Sequence, residues 1–289
     1  MDEISPQAFY STLTAEVLQN QSGLEVQNHQ LLLGYYHRLA NASPETRQFY
    51  RYNWIKRIAP MINILASLPT RTTPWRILDA GCGVGSETLY WAMLRSDFEV
   101  VGVDVSPARL ELAKSRQNFY NRLSGRLLAV RFCEKNVFEL LESQTFDIVW
   151  AMESISHVTP AEVFIEKVYY NLVEHGYLVI TDSHLINPFM AWRIYKMRAA
   201  GGLTLEQKTI SDGTQIPYSH ERLLSIGHLV RIIKQAGFRS VRSQLSIYFP
   251  PAVTRFPRLF RLCVGLDEIL NRIPGLRYFG GIYTVVCRK

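Results

Sequence analysis

Residues 75–79, 98–105, 127–132, 146–151 and 177–181 are short, nearly continuous apolar runs, separated by stretches whose apolar side chains recur at helical spacing. Runs of that length suit strands buried on both faces, and the alternation predicts a parallel sheet with right-handed crossovers. Ahead of the first run the chain reads as helices. Ser5-Pro6 and Ser43-Pro44-Glu45 each set a capping residue before a proline at the first helical position. Residues 24–39 carry Leu31, Leu32, Tyr35 and Leu39 at helical spacing, and the segment from Pro44 to Ile64 is rich in aromatics, including Phe49, Tyr50, Tyr52 and Trp54.

Within the alternating region, Ser106-Pro107 opens a helix carrying Leu110, Leu112 and Ala113, and Thr159-Pro160-Ala161-Glu162 predicts a capping box before a helix over 163–172. The alternation pauses from Asp182 to Ser219. There Asn187-Pro188 opens a short amphipathic helix with Phe189, Met190, Trp192, Tyr195 and Met197, closed by Gly201-Gly202. Ser219 is expected to cap a helix with Leu223, Ile226, Val230 and Ile233 on one face, stopping at Gly237. A strand over 241–248, an amphipathic helix between Pro257 and Pro274 and a strand over 282–287 finish the chain.

Composition bounds this picture without changing it. A chain of 289 residues, 47% hydrophobic and 20% charged, has ample length for one main domain with appendages. No apolar run approaches the roughly 18 residues needed to span a bilayer, and Met1-Asp2-Glu3-Ile4-Ser5 lacks a basic region before an apolar core, so a cytoplasmic location is expected. Cys82, Cys133, Cys263 and Cys287 are far apart and have no His at ligand spacing, which suggests neither a disulfide framework nor a metal site. The net charge of +7 is concentrated late: residues 251–289 hold seven Arg or Lys against Asp267 and Glu268. That excess fits an anionic acceptor, a peripheral contact with an acidic membrane surface, or simply a solvated helix face.

The chemistry starts where the first apolar run breaks. Asp79-Ala80-Gly81-Cys82-Gly83-Val84-Gly85 puts glycines at alternate positions of a strand-to-helix turn, where a Cβ would obstruct a closely approaching ligand. A carboxylate at Asp79 would serve a pyrophosphate poorly and a ligand carrying an ammonium and a sulfonium well, which points to S-adenosylmethionine rather than NAD. Asp104 ends the second run, 25 residues after Asp79, at a reach that suits the ribose hydroxyls; its other reading is as a cap for the helix after Ser106.

The D-x-G-x-G-x-G run of Asp79 to Gly85 resembles the first motif of the class I S-adenosylmethionine-dependent methyltransferases, and residues 146–157, Phe-Asp-Ile-Val-Trp-Ala-Met-Glu-Ser-Ile-Ser-His, resemble that family's fourth-strand motif. Glu153-Ser154-Ile155-Ser156-His157 is similar to the small-molecule branch acting on quinones, sterols and tocopherols, as is the turn at 172–177, although Glu174 and His175 replace its usual residues. The resemblance is good from about residue 70 to 182 and loose beyond 219. It implies an α/β fold: a doubly wound, seven-stranded, mostly parallel sheet of order 3-2-1-4-5-7-6. An N-terminal helical lid over 1–74 would precede a methyltransferase domain over 75–289, with an acceptor-site insert at 183–220 and an amphipathic helix at 255–274.

For the cofactor the resemblance implicates Asp79, Gly81, Cys82, Gly83, Gly85, Asp104, Val105, Asn136, Val137, Ala151 and Met152, with Asn136 beside the adenine unless it only caps a helix. It implies methyl transfer to oxygen or carbon of a small, largely apolar acceptor. A small-amine N-methyltransferase and a non-catalytic S-adenosylmethionine-binding protein remain open. His157, Glu153 and His184 are the candidates for a general base, in that order. Tyr35, Tyr36, Tyr50, Tyr218 and His220 are pocket candidates, and the insert together with Phe256, Leu259, Phe260, Leu262, Leu266 and Ile269 could roof the acceptor. The fourth-strand motif has neither the N/D-P-P-Y/F nor the Pro-Cys signature of nucleic-acid methyltransferases, so nucleic acid is not expected as a partner.

Overall fold

The computed structural model describes residues 4–19, 26–139, 145–199, 205–209, 215–219 and 223–289. Side chains are described for most of these, but not for 205–209, 215–219 or parts of 188–199.

Strands β1 (Trp75–Ala80), β2 (Phe98–Asp104), β3 (Val130–Glu134), β4 (Phe146–Met152) and β5 (Leu172–Ser183) run parallel, while β8 (Ser240–Ser246) and β9 (Ile282–Arg288) complete the sheet on the β5 side. The order is β3-β2-β1-β4-β5-β9-β8, with β9 antiparallel to both neighbours. Counted within this sheet alone, that is the 3-2-1-4-5-7-6 order expected. The strand order reverses between β1 and β4, and at such a switch point the loops leaving the C-terminal strand ends open a crevice.

Each face of the sheet has its own apolar layer. One joins Leu78, Val101, Val149 and Ile180 to α7 (Ala161–Asn171) and α9 (Ile226–Gln235). The other joins Ile77, Val100, Ile148 and Val179 to α1 (Pro6–Gln19), α4 (Pro44–Ser67), α5 (Ser86–Leu94) and α6 (Pro107–Ser124). Alternate residues of each strand thus serve opposite layers, which is why the strands read as continuous apolar runs. The N-terminal helices, including α2 (Val26–Tyr35) and α3 (His37–Ala40), contribute Phe9, Leu13, Leu32 and Leu39 to the second layer. The helical segment is therefore built into the sheet's own core.

Local signals held where a side chain acts on its near neighbours. Ser5 Oγ accepts from the Ala8 amide and Ser43 Oγ from the Thr46 amide, as helix caps do. The predicted capping box at Thr159 does not form: α7 starts at Ala161 with Pro160 in the cap position, Thr159 Oγ1 has no partner, and Glu162 turns to His228 on α9, 3.4 Å away. The helix expected to start at Ser219 starts at Ile226, capped by Ser225, and residues 205–209 and 215–219 pair as a two-stranded hairpin, β6 and β7. The Asp212-Gly213 dipeptide between those strands is a hairpin signal that could have revealed it. The expected helix α8 is present over Pro188–Ala199, whereas Gly201-Gly202, read as its stop, lie outside the described residues.

Beyond α8 and the hairpin, a third apolar cluster joins Phe49 of α4 to Ile247, Phe249, Ile282 and Phe260, the last on α10 (Pro257–Arg272). It sets the segment after β8 beside α4.

Candidate active site

The turn after β1 is held by four of its own backbone amides. Gly81 and Cys82 donate to Val103 O at 2.8 and 2.9 Å, Gly85 donates to Cys82 O at 2.9 Å, and Gly83 donates to Asp104 Oδ2 at 3.0 Å. Gly81, Gly83 and Gly85 have φ of 83°, 54° and 76°, a region costly for other residues. There is no room for a side chain either: a Cβ would come within 2.6 Å of Ser154 Cβ at Gly81, 2.9 Å of the Tyr35 hydroxyl at Gly83, and 2.8 Å of the Phe132 ring at Gly85. Conformation favours glycine at all three positions, and packing does so at Gly81 and Gly85; at Gly83 the obstacle is the movable tip of Tyr35.

This turn forms one wall of a cavity of about 720 Å³ at the C-terminal ends of β1, β2, β4 and β5. Of the residues proposed from sequence, Asp79, Gly81, Cys82, Gly83, Asp104, Val105, Asn136, Val137, Met152, Glu153 and His157 line it. Gly85 and Ala151 do not: Gly85 packs on Phe132 and Ala113 as the N-cap of α5, and Ala151 is buried in the sheet. His184 also stays away from the cavity, buried with Nδ1 3.1 Å from Gly280 O. Chain proximity to the end of β5 suggested it, but the ring turns toward the loop before β9. Tyr35, Tyr36 and Tyr50 do line the cavity; Tyr218's side chain and His220 lie outside the described residues. Phe189 and Met190 of α8 reach the wall, but Phe256, Leu259, Phe260, Leu262, Leu266 and Ile269 do not, and Ile247, Phe249, Pro250 and Pro251 line it instead.

Three strands end in carboxylates here. Asp79 accepts from Thr88 Oγ1 at 2.6 Å, and burial pushes its pKa up to about 8. Asp104 uses both oxygens, Oδ1 for the Ser106 amide at 2.8 Å and Oδ2 for Gly83. Asp104 thus holds the amide of Ser106, the residue that precedes α6, and each oxygen keeps a lone pair. Asp182, missed from sequence, accepts from the amides of Ser183 and Ser156 at 2.7 and 3.2 Å; burial, then the nearby charge of Glu153, pushes it up to about 6. The signal was its place at the end of β5, matching Asp79 and Asp104. Asn136 Oδ1 accepts from the Phe138 amide at 3.1 Å and so also caps.

Arg57 was missed as well. It stands on α4 with Tyr50, Asn53 and Trp54 at helical spacing, all facing the cavity. Its Nε donates to Asn53 at 2.8 Å and its Nη2 to Glu153 at 2.8 Å, while Nη1 is buried without a partner. Trp54 Nε1 donates to Glu87 at 2.7 Å, and burial raises the pKa of that carboxyl.

A doubly wound sheet with a glycine-lined, carboxylate-edged crevice at its switch point defines a nucleotide-cofactor enzyme. Residues 73–237 match a family described as "Methyltransferase domain", and the chain belongs to it: it is an S-adenosylmethionine-dependent methyltransferase. It is 28% identical to a carboxy-S-adenosyl-L-methionine synthase of Campylobacter jejuni over 193 residues, covering 63% of this chain and 75% of the relative. It is 33% identical to a mitochondrial ubiquinone biosynthesis O-methyltransferase of Schizosaccharomyces pombe over 138 residues, covering 46% and 48%. A methyltransferase of known structure from Archaeoglobus fulgidus shares the fold, with a TM-score of 0.50 at 15% identity over 83% of this chain and all of that one.

The site fits S-adenosylmethionine on its own terms. It offers Gly81 and Gly83 along its wall, carboxylates for the positive end, and in Arg57 Nη1 a buried donor lacking an acceptor.

Proposed function

We propose that the methyl group goes to an oxygen or carbon of a small, largely apolar acceptor, such as a lipid, isoprenoid, quinone or polyketide-like molecule. The lining of the cavity carries this reading: besides the glycines and carboxylates at the strand ends it includes Phe49, Phe189, Met190, Leu223, Ile247 and Phe249. An O-methylated small molecule also agrees with the name of the Schizosaccharomyces relative.

When bound, the cofactor supplies an electrophilic methyl group on a positively charged sulfur. In this assignment Asp79 faces the ammonium, Arg57 Nη1 donates to the carboxylate, the free lone pairs of Asp104 take the ribose hydroxyls, and Asn136 and Val137 border the adenine. The apolar wall excludes water and aligns the acceptor, and alignment alone is worth up to about 7–11 kcal/mol in such a displacement. His157 lines the same cavity and takes the proton of a hydroxyl acceptor.

Isotope-labelled S-adenosylmethionine incubated with fractionated lipid, quinone, hydroxyl and amine pools tests the reading by mass spectrometry. Label in an apolar product, together with S-adenosylhomocysteine, supports it. Label confined to amines favours N-methylation, for which Asp182 is the carboxylate at hand, and cofactor binding without any product removes turnover altogether. The same spectra would register a carboxylated cofactor, the product named for the Campylobacter relative.

Two further results are expected. Asp104→Ala should weaken cofactor binding by about 1.5–3 kcal/mol, the range for hydrogen bonds to a charged group, in calorimetric titration; unchanged affinity contradicts the ribose assignment. Asp79, with its pKa near 8 in the free protein, is protonated at neutral pH, and a cation beside it lowers that pKa. Binding should therefore release a proton and tighten by up to about tenfold per unit as the pH rises toward 8. Titrations in buffers of different ionisation enthalpy read the proton directly, and uptake or no exchange counts against the Asp79 role.

A further inference from the structure

Helix α10 has three faces, one more than a helix on a protein surface needs. At 3.6 residues per turn, Phe260, Cys263, Val264 and Asp267 fall on one side and pack inward. About a third of a turn away, Leu259, Leu262, Leu266 and Ile269 form a second apolar stripe, continued by Ile273, and this one is exposed, Leu262 by 58% and Ile269 by 53%. The third face carries the exposed Arg258, Arg261 and Arg272.

Of the helix's two acids one is turned inward, and the other, exposed among the arginines, is held by a lysine of α4. Asp267 is buried, accepting from the Ile247 amide at 2.7 Å and the Tyr52 hydroxyl at 2.9 Å, and Glu268 pairs with Lys56 of α4. What α10 shows to the outside is therefore a strip of leucine and isoleucine edged by three arginines and the lysine-paired Glu268.

The strip continues toward the cavity. Leu276, Tyr278 and Phe279 are exposed in the 3-10 turn after α10, and Asn187 Nδ2 donates to Phe279 O at 2.6 Å, fastening that turn to the start of α8. On α8, Phe189 is both exposed and part of the cavity wall, and Trp192 is exposed beyond it.

We propose that α10, its following turn and α8 seat the enzyme on an anionic lipid surface, with the cavity opening beside the acyl boundary. The stripe would enter the interface while Arg258, Arg261 and Arg272 meet lipid phosphates, the arrangement of an interfacial amphipathic helix. A second copy of the chain is the weaker occupant, because its α10 brings three arginines against one glutamate already paired with Lys56, so two such faces carry like charge. Docking itself is independent of the acceptor, whereas entry of the acceptor from the lipid rests on the apolar-acceptor reading.

Cosedimentation of the full chain with vesicles tests this, comparing phosphatidylcholine alone with an equimolar mixture of phosphatidylcholine and phosphatidylglycerol. Binding is expected to the mixed vesicles only, weakening with added salt. The pair Leu262→Ser and Leu266→Ser should reduce partitioning about tenfold or more, and Arg258→Gln and Arg261→Gln about fivefold each, with circular dichroism and cofactor affinity unchanged. Equal binding to both vesicle types, no binding, or unaltered binding by the leucine variants overturns the proposal, as does a dimer in sedimentation that the leucine variants dissociate. Methyl transfer to a detergent-dispersed acceptor by a protein that ignores vesicles would leave the apolar-acceptor reading standing and this one fallen. Vesicle binding without turnover of any apolar acceptor would do the reverse.

Discussion

Glu16→Ala is expected to lower the folding stability by about 3–5 kcal/mol, read from urea denaturation. Glu16 and Arg116 both have fully buried side chains, joined by Nε–Oε1 and Nη2–Oε2 contacts of 2.6 and 2.8 Å, and the Tyr120 hydroxyl donates to Glu16 Oε2 at 2.7 Å. Arg116 Nη1 donates to Val84 O, inside the glycine turn, and to Ser86 Oγ, which also meets the Tyr36 hydroxyl at 2.6 Å. Removing the carboxylate strands a guanidinium in the core, which costs more than the net worth of the pair. Glu16→Gln, which keeps the shape and an acceptor for Tyr120, should lose less. A double variant, Glu16→Leu with Arg116→Met, should recover much of the loss, because a buried pair and a packed apolar pair are often close in stability. A loss below about 1 kcal/mol for Glu16→Ala would mean that water or another carboxylate compensates the arginine. Because Arg116 touches both α1 and the turn, the alanine variant should also bind the cofactor less tightly.

His157→Ala is expected to lower turnover by about 10²–10⁴-fold with a hydroxyl acceptor, the usual contribution of a placed base, and to leave cofactor affinity near that of the unmodified protein. His157 stands on the segment leaving β4 and lines the cavity, with its amide bonded to Ser154 O at 2.9 Å. Undiminished turnover would end the base assignment and leave alignment as the whole of catalysis. A large loss of cofactor affinity would instead make His157 part of the binding wall.

What could be read from the sequence was the part whose chemistry is local. Asp79 to Gly85 declare a strand, a turn and a helix within seven residues, and Asp104 follows one strand-helix-strand unit later. The apolar runs gave the sheet, since strands buried on both faces leave an unmistakable pattern. Arg57 was hidden because its ionic partner, Glu153, lies far off in the chain, whereas Asp182 carried a local sign in its place at the end of β5 and only its bond to the Ser156 amide was out of reach. Glu16 and Arg116 are separated by a hundred residues, and no period or motif joins them. The roof assigned to α10 failed for a related reason. Its amphipathicity was legible, but its inner stripe packs on α4 and the segment after β8 and its outer stripe is exposed, a placement that periodicity does not specify.

The bonding of the glycine turn bears on how the cofactor is gripped. With Gly81, Cys82, Gly83 and Gly85 all donating to backbone or carboxylate oxygens of the chain, the loop's shape is set by the protein's own hydrogen bonds. Binding then spends little conformational entropy on this wall, so its contacts appear almost in full as affinity. One half of the crevice thus behaves as a rigid die for an invariant part, and adjustment to the acceptor is left to the other half.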